Sequence, residues 1–405
     1  MRNMIPIHEA FRIIDEKVPK LSAETVRLED SVRRVLAEDI EADLDLPPFD
    51  RSQMDGFAVR SEDTKKAPVR LRLVGESIAG RGFDGEVKFG EAVKIMTGAR
   101  VPKGADSVQK LELARETDGF VEILEPTSHK QNIVAMGEEI RKGKKVFSVG
   151  ERITEQMVPT LAAFGYAEVK VIRQPKIWIL STGTELVEIH EKPGKDQIRN
   201  SNSVMLKIFL KNLGLDATIL KNIADDEEML ARIIKQEVIS KDSEGKLLIT
   251  TGGVSVGEYD FTKSALRNLG AEILFEKVSI KPGKPTVFAK LSDCFVFGLP
   301  GNPVSAAVTF YLFVRRAILR MQGASVCGFK DEYAVVLKRI KSAKERECVL
   351  PAFVSTNEKG QMVIESLKFA GSSNFIELAR ANSLVYVPKG KDLNEGEVAK
   401  VWFLY

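Results

Sequence analysis

The chain has 405 residues, of which 44% are hydrophobic and 29% charged, enough for two to four ordinary water-soluble domains. A formal net charge of +3 gives no bulk attraction to nucleic acid or to an anionic membrane, and no stretch nears the roughly 18 apolar residues of a spanning helix. Three cysteines (Cys294, Cys327, Cys348) and three histidines (His8, His129, His190) lie far apart, which excludes a disulfide framework and a Cys- or His-based metal centre, so any metal must be held by oxygen. The opening Met1–Pro6 lacks the apolar run of a signal peptide, and a cytoplasmic location is the expectation.

Ile7, Phe11, Ile14 and Val18 recur at helical spacing and predict a helix over residues 6–18. Residues 24–39 read as a strand followed by a short helix ending near Asp39. Leu46-Pro47-Pro48 then bars a helix, and Asp50, Arg51, Ser52 and Asp55 crowd a loop ahead of the strand Phe57-Ala58-Val59. Residues 69–125 alternate apolar and polar with turn signals between, a β-rich insert. Gly80-Arg81-Gly82-Phe83-Asp84-Gly85 matches the dinucleotide fingerprint formally, but no helical pattern follows it, so the match is rejected. Met96-Thr97-Gly98-Ala99 ends a strand in a hydroxyl and a glycine. Residues 155–165 read as a helix closed by Gly165, and residues 167–172 as a strand.

From residue 175 the pattern becomes strand–helix alternation. Ile177–Ser181 is an apolar strand ending in Thr182-Gly183-Thr184-Glu185; residues 204–213 are a helix with Asn202 at its N-cap; Ala217–Leu220 is a strand; Asp225-Asp226 opens a helix to about Ile239. Leu247–Thr250 runs into Thr251-Gly252-Gly253-Val254-Ser255 and on to Asp260; residues 262–269 are helical; two more strands precede Pro300-Gly301-Asn302-Pro303, where Asn302 and Pro303 suit the cap and first position of a helix over 304–321. Such alternation predicts a doubly wound parallel sheet, and ligands of such sheets bind at the carboxyl ends of the strands. Three loops therefore converge: 181–185, 251–260 and 300–302. After about Cys327 the alternation gives way to strands at 332–339, 348–354, 361–366 and 383–387, a small β domain, with Gly371–Asn374 opening a short helical stretch.

The loop chemistry points to a phosphorylated ligand. Glycines let the backbone approach an anion and present N–H groups to it, a helix start attracts negative charge, and Lys281 and Lys284 add two cations on a Pro–Gly frame. Carboxylates in the same loops would repel phosphate unless a hard cation lies between, and Mg²⁺ is the usual one. Gly283-Lys284 lacks the upstream glycine of a Walker loop.

Seven blocks, 48–59, 96–106, 137–143, 181–186, 251–260, 281–286 and 298–306, together resemble the molybdopterin molybdenumtransferase family, which includes the E-type domain of gephyrin. The resemblance spans the whole chain in order. It implies four domains: a linking α+β domain (1–46 with 138–174), a β-rich insert (47–137), an α/β molybdopterin-binding domain (175–326) and a C-terminal β-barrel (327–405). It also implies a homodimer that takes adenylylated molybdopterin and molybdate, inserts the metal and releases AMP with the help of Mg²⁺. By matching position, the catalytic residues would be Asp55, Thr97, Glu185, Asp225 and Asp260, with Glu185, Asp225 and Asp260 as metal ligands. Substrate would be held by Ser181, Gly183, Gly252, Gly253, Ser255, Lys281, Lys284, Pro300, Gly301, Asn302, Pro303 and Ser372, with Arg346 as a further match. Asp55 and Thr97 would serve molybdate on the partner subunit. One block departs from the family: arginine commonly precedes its Gly-Glu-Asp, whereas this chain has Val134-Ala135-Met136 and then Glu139, with Arg141 and Lys142 as nearby substitutes. The competing readings are the preceding adenylylation step and a non-catalytic gephyrin-like scaffold.

Overall fold

A computed structural model describes residues 4–224, 226–253, 261–367 and 375–404. The chain divides into two compact units, one built from residues 1–38, 149–158 and 168–405, the other from residues 39–148 and 159–167.

The first unit opens with helix α1 (Ile7–Lys17), which buries Ile7, Ala10 and Ile14 on one stripe. Strand β1 (Ala23–Arg27) follows, and then a single 3-10 turn at Leu28–Asp30. The helix expected to run on to Asp39 does not form. Val35 and Leu36 instead lie in isolated bridges to Arg152 and Val171, because backbone pairing with the returning chain outcompetes local helical spacing.

In the second unit, strands β2 (Gly56–Val59), β3 (Val69–Ser77), β4 (Glu91–Ile95), β5 (Ser107–Lys110), β6 (Ala114–Thr117) and β7 (Phe120–Ile123) form one sheet in the order β5-β2-β4-β3-β7-β6. Neighbours are antiparallel except β3 and β4, which are parallel. Successive residues alternate faces, so Phe57 and Val59 join one apolar cluster with Leu71 and Val121 while Ala58 joins another with Val93 and Val108. No helix follows Gly80–Gly85; Arg81 turns back onto Ile78.

The rest of the first unit carries the ligand domain. Strands β8 (Glu168–Ile172), which pairs with β1, and β9 (Lys176–Ser181) lead to helix α2 (Ser201–Asn212) and strand β10 (Thr218–Ile219). Helix α3 (Glu227–Ile233) continues as a π turn at Ile234–Ile239. Next come β11 (Lys246–Thr251), α4 (Phe261–Asn268), β12 (Glu272–Phe275), β13 (Val287–Leu291) and β14 (Cys294–Leu299). A long helix closes the domain as α5 (Pro303–Thr309), a π turn (Phe310–Val314) and α6 (Arg315–Met321). The sheet order is β10-β9-β11-β14-β13-β12. It is doubly wound: Ile177, Ile179, Leu247 and Ile249 pack with α1, α2, α5 and α6, whereas Trp178, Leu180 and Leu248 pack with Leu230 of α3 and Ala265 and Leu266 of α4. β13 alone runs against its neighbours, because only Ser292 and Asp293 join it to β14, too short a link for a crossover.

The C-terminal part of the same unit is a closed barrel. Strands β15 (Glu332–Val336), β16 (Glu347–Thr356), β17 (Met362–Ser366), β18 (Ser383–Val387) and β19 (Val398–Phe403) close in the order β16-β17-β15-β19-β18, with β18 pairing back onto β16. β19 was not anticipated from the sequence; its partners on both sides are long-range and supply the pairing that a local pattern cannot. A four-residue helix, α7 (Phe375–Leu378), precedes β18.

Candidate functional site

β9, β11 and β14 are parallel neighbours, with Ser181 opposite Thr251 and Thr251 opposite Leu299. The equal register ends all three strands at one level, so the loops that follow are forced together. Between them and the start of α2 lies a cavity of about 940 Å³, lined by Ser181, Thr182, Gly183, Glu185, Thr251, Gly252, Gly253 and Pro300–Pro303, among others. That is the upper end of the size range of small-molecule sites.

Two glycines shape its floor. Gly252 has φ +92° and Gly253 φ +62°, and a Cβ at Gly252 would lie 2.2 Å from the Thr182 carbonyl oxygen. At Gly253 a Cβ would meet the hydroxyls of Thr182 and Thr262, both at 2.8 Å. Only glycine permits this approach of loop to strand. Opposite them, Asn302 is at the N-cap and Pro303 at the first turn of α5, as expected, which places a helix N-terminus on the rim.

The start of α2 ties the loops to each other. Its N-cap is Asn200, not Asn202: Asn200 Oδ1 accepts from the Ser203 N–H at 3.2 Å. The helix starts earlier than its apolar spacing suggests because its first turn, Ser201-Asn202-Ser203, contacts loops rather than core. The Ser181 hydroxyl donates to Asn200 Oδ1 and bonds the Ser203 hydroxyl at 2.6 Å; at 1% exposure, it knits β9 to α2. Asn202 Nδ2 donates both to Thr251 Oγ1 (2.9 Å) and to the Gly301 carbonyl (2.7 Å). Nothing in residue type alone singled out Asn202 for this; the run Asn-Ser-Asn ahead of a helix was the available signal.

Glu185 is exposed at the cavity mouth; its backbone carbonyl accepts from the Ile198 N–H at 2.8 Å, but its carboxylate makes no hydrogen bond or ion pair among the described residues and is free to bind a cation. Asp225, Ser255, Asp260 and Ser372 lie outside the described residues. Among the described residues no three His, Cys, Asp or Glu side chains gather as a metal site. Lys281 and Lys284 do not line the cavity, although Pro285 does. Lys281 pairs through its backbone with the start of β16, and it counteracts the burial that pushes the Cys348 thiol upward. Arg346 donates to the Ile280 carbonyl at 3.2 Å. The excursion over residues 186–199 adds Ile189 and Ile198, both more than half exposed, to the cavity wall, and α7 adds Phe375; none of these was anticipated.

In the second unit, Asp55 and Thr97 meet: Asp55 Oδ1 accepts from the Thr97 N–H at 2.6 Å and from its hydroxyl at 2.8 Å. These two donors, the backbone one foremost, hold the Asp55 carboxyl below the usual aspartate range. Nearby in the chain, Arg51 pairs with Glu139 at 3.0 Å and the Met136 N–H donates to Asp50. Lys142 donates its backbone N–H to Asp45.

A doubly wound domain with glycine loops and a helix start around a cavity, together with a closed barrel and a β-rich unit, defines a multidomain α/β protein with a small-molecule site at its strand ends. Three family models cover the chain: the MoeA N-terminal region (domain I and II) over residues 5–165, a probable molybdopterin binding domain over 178–320, and the MoeA C-terminal region (domain IV) over 333–404. The molybdopterin molybdenumtransferase of Haemophilus influenzae is 36% identical over 402 residues, covering 98% of each chain. That of Staphylococcus aureus is 36% identical over 393 residues, 96% of this chain and 93% of the relative. The crystal structure of the molybdopterin biosynthesis protein moeA from Pyrococcus horikoshii OT3 superposes with a TM-score of 0.81 at 30% identity, over 99% of this chain and 100% of that one. The chain belongs to the molybdopterin molybdenumtransferase family, and it is a transferase of molybdenum cofactor biosynthesis.

Proposed function

We propose that this chain inserts molybdate into adenylylated molybdopterin and releases AMP. The observation that carries the reading is the cavity at the ends of β9, β11 and β14, where Gly252, Gly253 and the start of α5 surround a space large enough for a nucleotide-sized ligand. Backbone N–H groups and a helix N-terminus favour charge on the phosphoanhydride oxygens, and more so as the anhydride P–O bond breaks and the departing phosphate gains charge. Molybdate is itself an anion, so fixed donors suit its approach better than a protein nucleophile would.

Mg²⁺ fits the chemistry present. Glu185 offers a free carboxylate at the cavity mouth, and Mg²⁺ typically takes one or two carboxylates with phosphate oxygens and waters. Glu185 would hold the ion with Asp225 and Asp260, and the bound ion would neutralise phosphate charge. Lys281 and Lys284 are part of the same proposal by their resemblance to the family's lysine motif, although neither lines the cavity. Asp55 and Thr97, held together and exposed, are assigned to molybdate in a homodimer, and a cytoplasmic location is part of the same proposal. No described helix is long and apolar enough to cross a membrane.

The test is single-turnover release of AMP from adenylylated molybdopterin with Mg²⁺, with and without molybdate. Stimulation by molybdate is expected. Transfer of AMP from ATP to molybdopterin would instead indicate the adenylylation step, and pterin binding without release would indicate a scaffold. Sedimentation velocity tests the dimer, for which a monomer at micromolar concentration is the adverse result.

A further inference from the structure

Asn202 occupies a position that no cap or core role explains. It lies inside the first turn of α2, is 9% exposed, and lines the cavity. Its amide nitrogen bridges two segments that have no sequence proximity, bonding Thr251 Oγ1 at the end of β11 and the Gly301 carbonyl after β14. Thr251 Oγ1 passes the bond on, donating to the Pro300 carbonyl at 3.3 Å. The direction of the amide is set by chemistry: the Gly301 carbonyl can only accept, so the NH₂ group must face it.

This bracket has an electrostatic consequence. The carbonyls of Pro300 and Gly301 are acceptors on the rim of a site read as binding an anion, and a carbonyl oxygen turned toward phosphate would repel it. Bonds from Thr251 and Asn202 hold both carbonyls to protein donors. The Gly252 N–H is held by the Leu299 carbonyl, so the Gly253 and Gly301 N–H groups, which meet no acceptor among the described residues, are what the loops offer a ligand. The other end of the amide, Oδ1, is buried with no donor among the described residues, and a buried acceptor is costly unless a donor meets it. A ligand amino or hydroxyl group can supply one.

We propose that Asn202 is a positioning residue, which clamps the Thr251–Gly253 and Pro300–Asn302 loops into their anion-binding form and offers Oδ1 to a donor on the same ligand. The proposal rests on the reading of the cavity as the nucleotide phosphate site.

The test uses the full-length protein, with AMP and Mg²⁺ as the probe in calorimetry, alongside the single-turnover assay. Asn202→Ala removes the bracket; Asn202→Asp keeps the shape but sets a carboxylate against the Gly301 carbonyl; Thr251→Val breaks the same bracket from the other side and serves if the Asn202 variants fold poorly. Leu210→Val, in the buried face of α2, lowers stability without touching the loops. Expected are AMP affinities about 10- to 100-fold lower for the three bracket variants, the size of one or two lost bonds and a misaligned loop. Asn202→Ala and Thr251→Val should be non-additive when combined, and Leu210→Val should bind AMP as wild type does. Bracket variants that bind AMP like wild type, or that lose no more than Leu210→Val, overturn the proposal. Wild-type protein that binds no AMP overturns the reading of the cavity, and the proposal falls with it.

Discussion

Gly252 is where the geometry makes its sharpest demand, and Gly252→Ala measures it. At φ +92° an alanine is strained by about 1–2 kcal/mol whatever surrounds it. Its Cβ would also lie 2.2 Å from the Thr182 carbonyl oxygen, well inside the 3.4 Å at which ordinary contact begins. Thr182 cannot step back easily: its N–H donates to the Thr251 carbonyl at 2.9 Å, and it bridges Ile223 on the other side. Overpacking of this kind is worth about 1–3 kcal/mol, and the weak Gly252 N–H bond to the Leu299 carbonyl, at 3.3 Å, would go with it for about 0.5–1.5 kcal/mol. The expected loss is about 2.5–6.5 kcal/mol in total. Gly270→Ala is the matched control, since Gly270 has φ +81° and nothing within 4 Å of its Cβ position. It should lose only the strain of about 1–2 kcal/mol and leave AMP binding unchanged. Urea unfolding and AMP calorimetry on both variants decide the matter. Equal destabilisation of the two, with AMP affinity intact in Gly252→Ala, would refute the argument that strand–loop contact shapes the cavity floor.

Phe313 is fully buried, with Phe11 at 5.8 Å and Phe275 at 6.1 Å between ring centroids, so Phe313→Ala should destabilise the first unit by about 3–5 kcal/mol in denaturant unfolding; a loss under about 1 kcal/mol would contradict this packing. Thr97→Val should raise the Asp55 carboxyl toward 3.8, followed by NMR titration. Because the folded-state value is depressed, the contribution of Asp55 to stability is complete above 3.8 and fades as pH falls through the lower folded-state value, so wild type and Thr97→Val should converge in stability at the acid end. An unmoved titration would mean that the Thr97 hydroxyl adds nothing and that the backbone N–H, which the variant keeps, is the donor that holds this carboxyl down. Glu185→Gln should raise the Mg²⁺ concentration needed for AMP release by about tenfold, as a lost charged ligand removes a charge-assisted bond. An identical Mg²⁺ titration would exclude Glu185 as a ligand.

Much of this protein is decided locally and is therefore visible in the order of its residues. The apolar runs at 177–181 and 247–251 must be buried on both faces, so they had to be central strands of a covered sheet. Glycines where no Cβ fits, at 252 and 253, and the Asn302–Pro303 helix start are short-range features, and they marked the cavity without any knowledge of its walls. What only the tertiary structure decided involves partners far apart along the chain. The residues at 31–39 pair with returning strands instead of forming a helix, β13 runs against its neighbours, and β19 completes a barrel. Asp55 and Thr97 meet although they are 42 residues apart, Ser181 turns its hydroxyl into the fold, and Asn202 spans two loops, 49 and 99 residues further on. A hydrogen bond or an ion pair is a meeting in space, and neither periodicity nor composition records which distant group a polar side chain will find.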